Sequence, residues 1–207
     1  MQNQNQTFKT DFVRNCYNQH MKTLMRTTLL LALAFATVCM SPSAISTSAT
    51  SPNVASTSAT SPTTPQWIQI RTAYRTALNN SNHIGTFETA CKSHSQTDAL
   101  ANAYYATALA LRARAAIAPT TKLSLANQAE AHLNAAATAQ PQNLEIRFLR
   151  YTFEYGTPSM LNMKKNMAQD KPLAIKFAKS PSPIKDIAVN FFQKCTDLSE
   201  IEKRDIK

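Results

Sequence analysis

Glycine is almost absent from this chain, since only Gly85 and Gly156 occur among its 207 residues. Glycine supplies the positive φ angles of tight turns and lets a backbone approach a bound phosphate closely. Its scarcity disfavours a glycine-rich phosphate loop, a dinucleotide-binding fingerprint and any fold with many tight turns. Apolar residues make up 43% of the chain, which is enough for a core. Alanine, leucine, lysine, arginine and glutamine are frequent in the C-terminal two thirds and favour helix, so we expect an all-α protein.

Residues 21–44 have the pattern of a secretory signal peptide. Lys22 and Arg26 form a basic start, and residues 29–40 are apolar apart from one threonine. A run of about twelve residues is too short to cross a bilayer, which needs roughly twenty. It has the length of the apolar part of a signal peptide. We therefore expect an exported protein, periplasmic or extracellular.

Two cleavage positions are compatible with this segment. Ala34-Phe35-Ala36 has the small-residue pattern of a signal-peptidase site, and Ser43-Ala44 is a second option because the apolar run continues to Met40. Cys39 suggests a lipoprotein, but lipoprotein processing needs a small residue before the cysteine. Val38 is too bulky for that position, so a lipid anchor is not expected.

The segments on either side of the signal peptide are not expected to fold. Residues 1–20 are a polar extension, which we place upstream of a true start at Met21. Residues 45–65 are rich in serine, threonine, alanine and proline, and Ser46–Pro52 recurs as Ser56–Pro62. Such a stretch buries too little apolar surface to offset its ordering entropy, so we predict a disordered linker.

Residues 66–207 are expected to form one helical domain of about six to seven helices. Thr64-Pro65 predicts a helix start with Thr64 as the N-cap. A long alanine-rich helix runs from Thr97-Asp98 to a stop before Pro119. Another helix runs from about Leu123 to Ala139.

The C-terminal part carries further helix signals. Residues 159–182 are expected to be broken by Pro172 and Pro181, and Pro183 then opens another helix. Ser199-Glu-Ile-Glu202 is a capping box that predicts a last short helix.

The segment Leu144–Tyr155 admits two predictions. Its first half alternates between apolar and polar residues, as a strand would. At 100° per residue the apolar side chains instead fall on two opposite stripes, which are Leu144, Phe148, Tyr151 and Tyr155, and Ile146, Leu149 and Phe153. A helix with two opposite apolar faces lies between other helices. We favour this central helix over the strand.

Arg147, Arg150 and Glu154 share one flank of the central helix, and two interpretations of this flank remain open. The three side chains could line a groove that binds an acidic ligand, which makes them candidate binding residues. They could instead be solvated or paired inside the protein. Arg150 and Glu154 are four residues apart, a spacing at which opposite charges stabilise a helix slightly.

Two patterns carry a resemblance to known proteins. Ala129, Leu133, Ala136 and Pro141 match the second-helix spacing of a tetratricopeptide repeat, although the period of that repeat is not sustained along the chain. The second pattern consists of Asn143-x-Glu145-Ile-Arg147-Phe-Leu-Arg150, Pro158-Ser159, Lys165-Asn166 and Asp170-Lys171. On these residues, the region 66–205 resembles a group of small, uncharacterised secreted bacterial proteins. The resemblance implies a tetratricopeptide-like helical fold and export, and it implies no activity.

No catalytic constellation, cofactor motif or metal site is evident, so we expect no cofactor. Cys91 and Cys195 each lie on an apolar helical face; outside the cytoplasm they could form a disulfide bond, or they could remain buried apolar thiols. His83, His94 and His132 lack the spacing of a helical metal site. We expect His94, three residues after Cys91, to be a surface or packed histidine.

Residues 164–185 are basic, with only Asp170 opposing six lysines: Lys164, Lys165, Lys171, Lys176, Lys179 and Lys185. The whole chain has a formal charge of +10. An exported protein rarely meets nucleic acid, so no nucleic-acid partner is expected. Contact with an anionic membrane surface is more accessible, and simple solubility requires no partner at all.

Two functional classes follow. The favoured one is a helical module of the cell envelope that binds a protein or peptide. The reason is that the sequence predicts helices that pack through alanine and contains no recognisable active site. The alternative is a small envelope hydrolase whose polar groups converge only in three dimensions.

Overall fold

The computed structural model describes residues 62–206, and within this range the chain is helical without a strand. The eight α-helices are α1 (Thr64–Asn79), α2 (Ile84–Lys92), α3 (Ala99–Ala115), α4 (Pro119–Ala139), α5 (Leu144–Gly156), α6 (Met167–Lys179), α7 (Lys185–Lys194) and α8 (Glu200–Arg204). Short 3₁₀ helices lie at Ser81–His83 and Ser159–Leu161. The predicted all-α class is confirmed.

Several predictions from the sequence lie outside the described residues. These are the polar extension at 1–20, the signal peptide at 21–44 and the linker up to residue 61. The first helix begins at Thr64, one residue earlier than expected, and Thr63 precedes it as the N-cap. Among residues 62–206, no helix combines the length and the apolar character needed to span a membrane.

Consecutive helices pack as pairs. The helix α1 contacts α2, α3 contacts α4, and α5 contacts α6. The first helices of successive pairs also contact each other, α1 with α3 and α3 with α5. Aromatic rings extend this series, because Tyr151 and Tyr155 of α5 contact Phe191 of α7. Each pair therefore packs on its neighbour along the chain.

Small side chains bring α3 and α4 close together. Ala129, Leu133 and Ala136 of α4 are fully or almost fully buried. Ala103 and Ala106 of α3 are completely buried as well. Alanine adds little bulk at a helix contact and has the highest helix propensity, so this part of the sequence favours both the helices and their packing.

The central helix is confirmed as α5, and the strand alternative is wrong. Phe148 stacks on Phe177 of α6 and contacts Phe192 of α7. On the other side of α5, Phe153 packs in an apolar cluster with Leu109 of α3 and Leu125 of α4. Phe148 and Phe153 thus contact different helices, because an α-helix places side chains five residues apart on different sides.

The prediction that Pro172 interrupts the chain is wrong, since Pro172 lies inside α6. Proline removes the hydrogen bond to the carbonyl four residues earlier and disfavours the helical conformation of the preceding residue. Side chains on either side of it compensate, because Asp170, Ala174 and Phe177 are all buried. Tertiary contacts therefore hold a helix that local propensity disfavours.

The predicted capping box is present at the last helix. The Ser199 hydroxyl accepts a hydrogen bond from the backbone N–H of Glu202, and the Glu202 carboxylate accepts one from the backbone N–H of Ser199. The central helix is capped in a related way. The Asn143 side chain accepts from the backbone N–H groups of Glu145 and Ile146, which defines where α5 begins.

Truncation of the central helix tests the two-sided packing. Phe148 and Leu149 are both fully buried, so we expect Phe148→Ala and Leu149→Ala each to reduce the free energy of unfolding by about 2–5 kcal/mol. Thr152 is only partly buried, and Thr152→Ala should cost less than about 1 kcal/mol. Urea denaturation of the three variants checks this. A neutral Leu149→Ala beside a damaging Phe148→Ala would contradict packing on both sides.

Candidate functional site

The candidate binding flank of α5 is occupied by a carboxylate from the next helix. Asp170 of α6 is completely buried, and Arg147 and Arg150 are each 5% exposed. The Nη1 of Arg147 donates to Asp170 Oδ1 at 2.8 Å. Arg150 donates from Nε to Oδ2 at 2.6 Å and from Nη2 to Oδ1 at 2.9 Å. Both carboxylate oxygens are therefore engaged.

Amide side chains extend this contact into a continuous network. The side-chain oxygen of Asn134 in α4 accepts from Arg150 Nη1 at 3.1 Å and from Asn166 Nδ2 at 3.3 Å. Asn166 also donates its backbone N–H and its Nδ2 to Glu154, at 2.8 and 2.7 Å. The Nε of Arg147 donates to the carbonyl of Pro141 at 3.0 Å. We call Asn134, Arg147, Arg150, Glu154, Asn166 and Asp170 the buried polar network.

The formal charges within the buried polar network sum to zero, since it contains two guanidinium groups and two carboxylates. Both guanidinium groups bond Asp170, and Glu154 is held by hydrogen bonds from Asn166. Buried charges are tolerated when each is paired and hydrogen-bonded. In residues 62–206 no buried side-chain nitrogen or oxygen lacks a hydrogen-bond partner. The interpretation of an internally paired flank therefore describes the structure, and the flank presents no open groove for an acidic ligand.

The pairing differs in detail from the sequence expectation. Arg150 reaches across to Asp170 and Asn134, whereas Glu154 accepts hydrogen bonds from Asn166. Arg150 pairs with Asp170 rather than with Glu154, four residues away, because Asp170 offers Arg150 two buried oxygens. The sequence signal for this pairing is the position of Asp170, which is a lone aspartate within the lysine-rich segment 164–185.

A second polar cluster joins α1, α3 and α5. Arg71 donates from Nε and Nη2 to the two carboxylate oxygens of Glu145, at 3.1 and 2.9 Å. Tyr104 donates its hydroxyl proton to Glu145 at 2.5 Å, and the guanidinium carbon of Arg71 lies 5.2 Å from the ring centroid of Trp67. Burial, followed by the nearby Glu145 carboxylate, raises the pKa of Tyr104 well above its usual value. Tyr104 is therefore a neutral hydrogen-bond donor.

Neither cysteine has the environment of a reactive thiol. Cys91 and Cys195 are buried, and each is a free cysteine in the structure rather than half of a disulfide. Burial raises the pKa of both thiols, that of Cys195 to about 12. The thiolate is the reactive form, so both side chains behave as small apolar residues of the core.

The histidines do not converge on a ligand. Nδ1 of His132 lies 2.8 Å from the side-chain oxygen of Asn102, and its ring contacts Tyr105 edge-on. His83 is exposed and His94 is half-buried. The described part of the chain contains no group of three histidine, cysteine, aspartate or glutamate side chains arranged to hold a metal ion.

Much of the basic segment is engaged within the protein. Lys164 and Lys171 donate to the backbone carbonyls of Tyr155 and Asp197. Two further lysines lie 4.0 Å from carboxylates, in the pairs Lys165–Glu130 and Lys179–Asp205. These acidic neighbours reduce the positive field of the segment, and its contact with an anionic membrane stays a prediction.

The outer side of the first helix pair carries two adjoining shallow depressions, the larger of about 480 Å³. The residues that line them form what we call the α1–α2 face: Ile68, Gln69, Thr72, Ala73, Thr76, His83, Gly85, Thr86, Thr89 and Ala90. None of these residues is a lysine, arginine, aspartate or glutamate. The face is therefore uncharged and built largely of small side chains.

Two threonines of this face donate hydrogen bonds to carbonyl groups of their own helices. The hydroxyl of Thr76 donates to the carbonyl of Thr72, and that of Thr89 donates to the carbonyl of Gly85, both at 3.0 Å. With its proton used in this way, each hydroxyl keeps acceptor capacity. At Gly85 an added Cβ would meet no atom within 4 Å, so the surface there is open.

Comparison with protein-family models, with curated proteins and with solved structures finds no match to this chain.

Replacing the buried carboxylate tests whether the network is structural. Asp170→Asn keeps the shape of the side chain but leaves two buried guanidinium groups without a counter-charge, so we expect it to reduce the free energy of unfolding by about 3–5 kcal/mol. The control is Asp205→Asn, which removes an exposed partner of Lys179 and should cost less than about 1 kcal/mol. Urea denaturation measures both. Equal, small losses would contradict a structural role for Asp170.

Proposed function

We propose that this chain is an exported helical module of the cell envelope that binds a protein or peptide through its α1–α2 face. The observation that carries the proposal is the uncharged, indented surface of α1 and α2 on a chain whose formal charge is +10. The candidate flank of α5, by contrast, has its charges paired internally. Recognition is therefore assigned to the first helix pair.

The chemistry of the α1–α2 face defines the partner segment. Small side chains allow close approach of a helix or an extended backbone, and Ile68, which is 64% exposed, offers an apolar anchor. The oxygens of Thr76 and Thr89 can accept hydrogen bonds, and the Gln69 amide can accept or donate them. A charged segment would lose its hydration here without gaining a counter-charge, so the partner contributes an uncharged segment with apolar and amide or hydroxyl groups.

The order of helix contacts supports a binding module. Each helix pair packs on the next pair along the chain, which is also how tetratricopeptide-like arrays are built. The end of such an array leaves one outer face without a neighbour. The α1–α2 face occupies that terminal position in the described part of the chain.

A photocrosslinking amino acid at position 72 tests this assignment. In an envelope extract, the probe at Thr72 should join a defined protein, whereas the same probe at Thr138, an exposed threonine of α4, should not. Thr86→Glu places a carboxylate across the face from the probe. It should weaken binding of the purified partner at least about tenfold, which corresponds to about 1.4 kcal/mol, while Thr138→Glu should leave binding unchanged.

Two results would contradict the proposal. Equal crosslinking from Thr72 and Thr138 would show that the α1–α2 face is no preferred surface. Recovery of protein that starts at Met1 or Met21 from the cytoplasm alone would contradict export, because a cleaved signal peptide leaves a mature chain that begins between about Ala34 and Ile45. N-terminal sequencing of the same preparation decides this point.

A further inference from the structure

The side chain of Arg75 joins the first helix to the start of the seventh. Its guanidinium donates to both carboxylate oxygens of Asp186 and to the backbone carbonyl of Pro183. More than 100 residues of chain separate these partners. We call this contact the Arg75 clasp. Its ion pair is accessible to solvent, since the Arg75 and Asp186 side chains are 37% and 65% exposed.

The clasp spans two groups of aromatic side chains. In the first group, Tyr74 of α1 contacts Phe87 of α2 and Tyr104 of α3. In the second group, Phe191 and Phe192 of α7 contact the rings of Phe148 and Tyr151 of α5. These ring contacts thus hold α1 to α2 and α3, and hold α7 to α5, within one buried apolar core. The clasp joins α1 to α7 through charge.

We propose that the Arg75 clasp is a reversible latch, whose release lets α1 and α7 separate locally while each keeps its own aromatic contacts. An exposed ion pair is weak and is screened by salt. The half-buried contact from Arg71 to Glu145 keeps α1 attached to α5 when the clasp opens. The latch is thus a salt-sensitive conformational device, and it stands apart from the α1–α2 face and from the function proposed for that face.

Hydrogen–deuterium exchange of the full chain, followed by mass spectrometry, tests the latch. Between about 0.1 M and about 1 M NaCl the screening length falls from about 10 Å to about 3 Å. We expect amides in the C-terminal half of α1 and the first turn of α7 to exchange about two- to fivefold faster at the higher salt. Arg75→Gln should produce the same increase at low salt and remove the salt dependence.

The matched control is Arg112→Gln. Arg112 of α3 donates to both carboxylate oxygens of Glu88 in α2, and this pair is also partly exposed, at 48% and 16%. Its loss should leave the exchange of α1 and α7 unchanged. The latch is overturned if Arg75→Gln leaves α1 and α7 unchanged, or if it accelerates all helices equally, which would indicate global destabilisation. Neither result depends on whether the α1–α2 face binds a partner.

Discussion

The buried carboxylate of Asp170 is the constraint on which the C-terminal half of the domain depends. The helix α5 is enclosed on several sides, so it cannot extend its two arginines into solvent. Charges that are removed from water need counter-charges and full hydrogen bonding. Asp170 supplies both, at distances of 2.6–2.9 Å, and this requirement positions α6 along α5 even though Pro172 weakens α6 locally.

The network also connects parts of the chain that apolar packing alone would orient loosely. Asn134 brings α4 into contact with Arg150, and Asn166 ties the start of α6 to Glu154. Directional hydrogen bonds permit fewer arrangements than apolar contacts do. Arg147, Arg150 and Asp170 all belong to this network. Their roles in this chain are therefore structural ones.

Local patterns in the sequence predict most of the helices and much of their packing. The two stripes of α5, the buried alanines of α4 and the capping box at Ser199 all follow from spacing within one helix. The pairing of Arg150 with Asp170 does not, because the partners are 20 residues apart and the choice among possible partners depends on tertiary packing. The helix through Pro172 was missed for the same reason. The α1–α2 face does not follow from the sequence in this way, because it has no motif and is marked only by an absence of charge on one face of two helices that carry charged residues elsewhere.

These assignments separate structure from recognition within the molecule. The buried charges of the C-terminal half hold α4, α5 and α6 together, and the thiols of Cys91 and Cys195 are buried. The uncharged face of α1 and α2 is open for interaction, and the exposed pair of Arg75 and Asp186 joins α1 to α7. The proposed binding and the proposed latch therefore both involve the first helix.

A double-mutant cycle on Arg150 and Asp170 tests the central claim most directly. Arg150→Gln, Asp170→Asn and the double variant are compared with the parent chain by urea denaturation. If the two side chains form one buried unit, the double variant should lose less free energy of unfolding than the two single losses together, by about 0.5–3 kcal/mol. Losses that add to within about 0.5 kcal/mol would show that the two residues act independently, and would contradict the account of a single charge-balanced network.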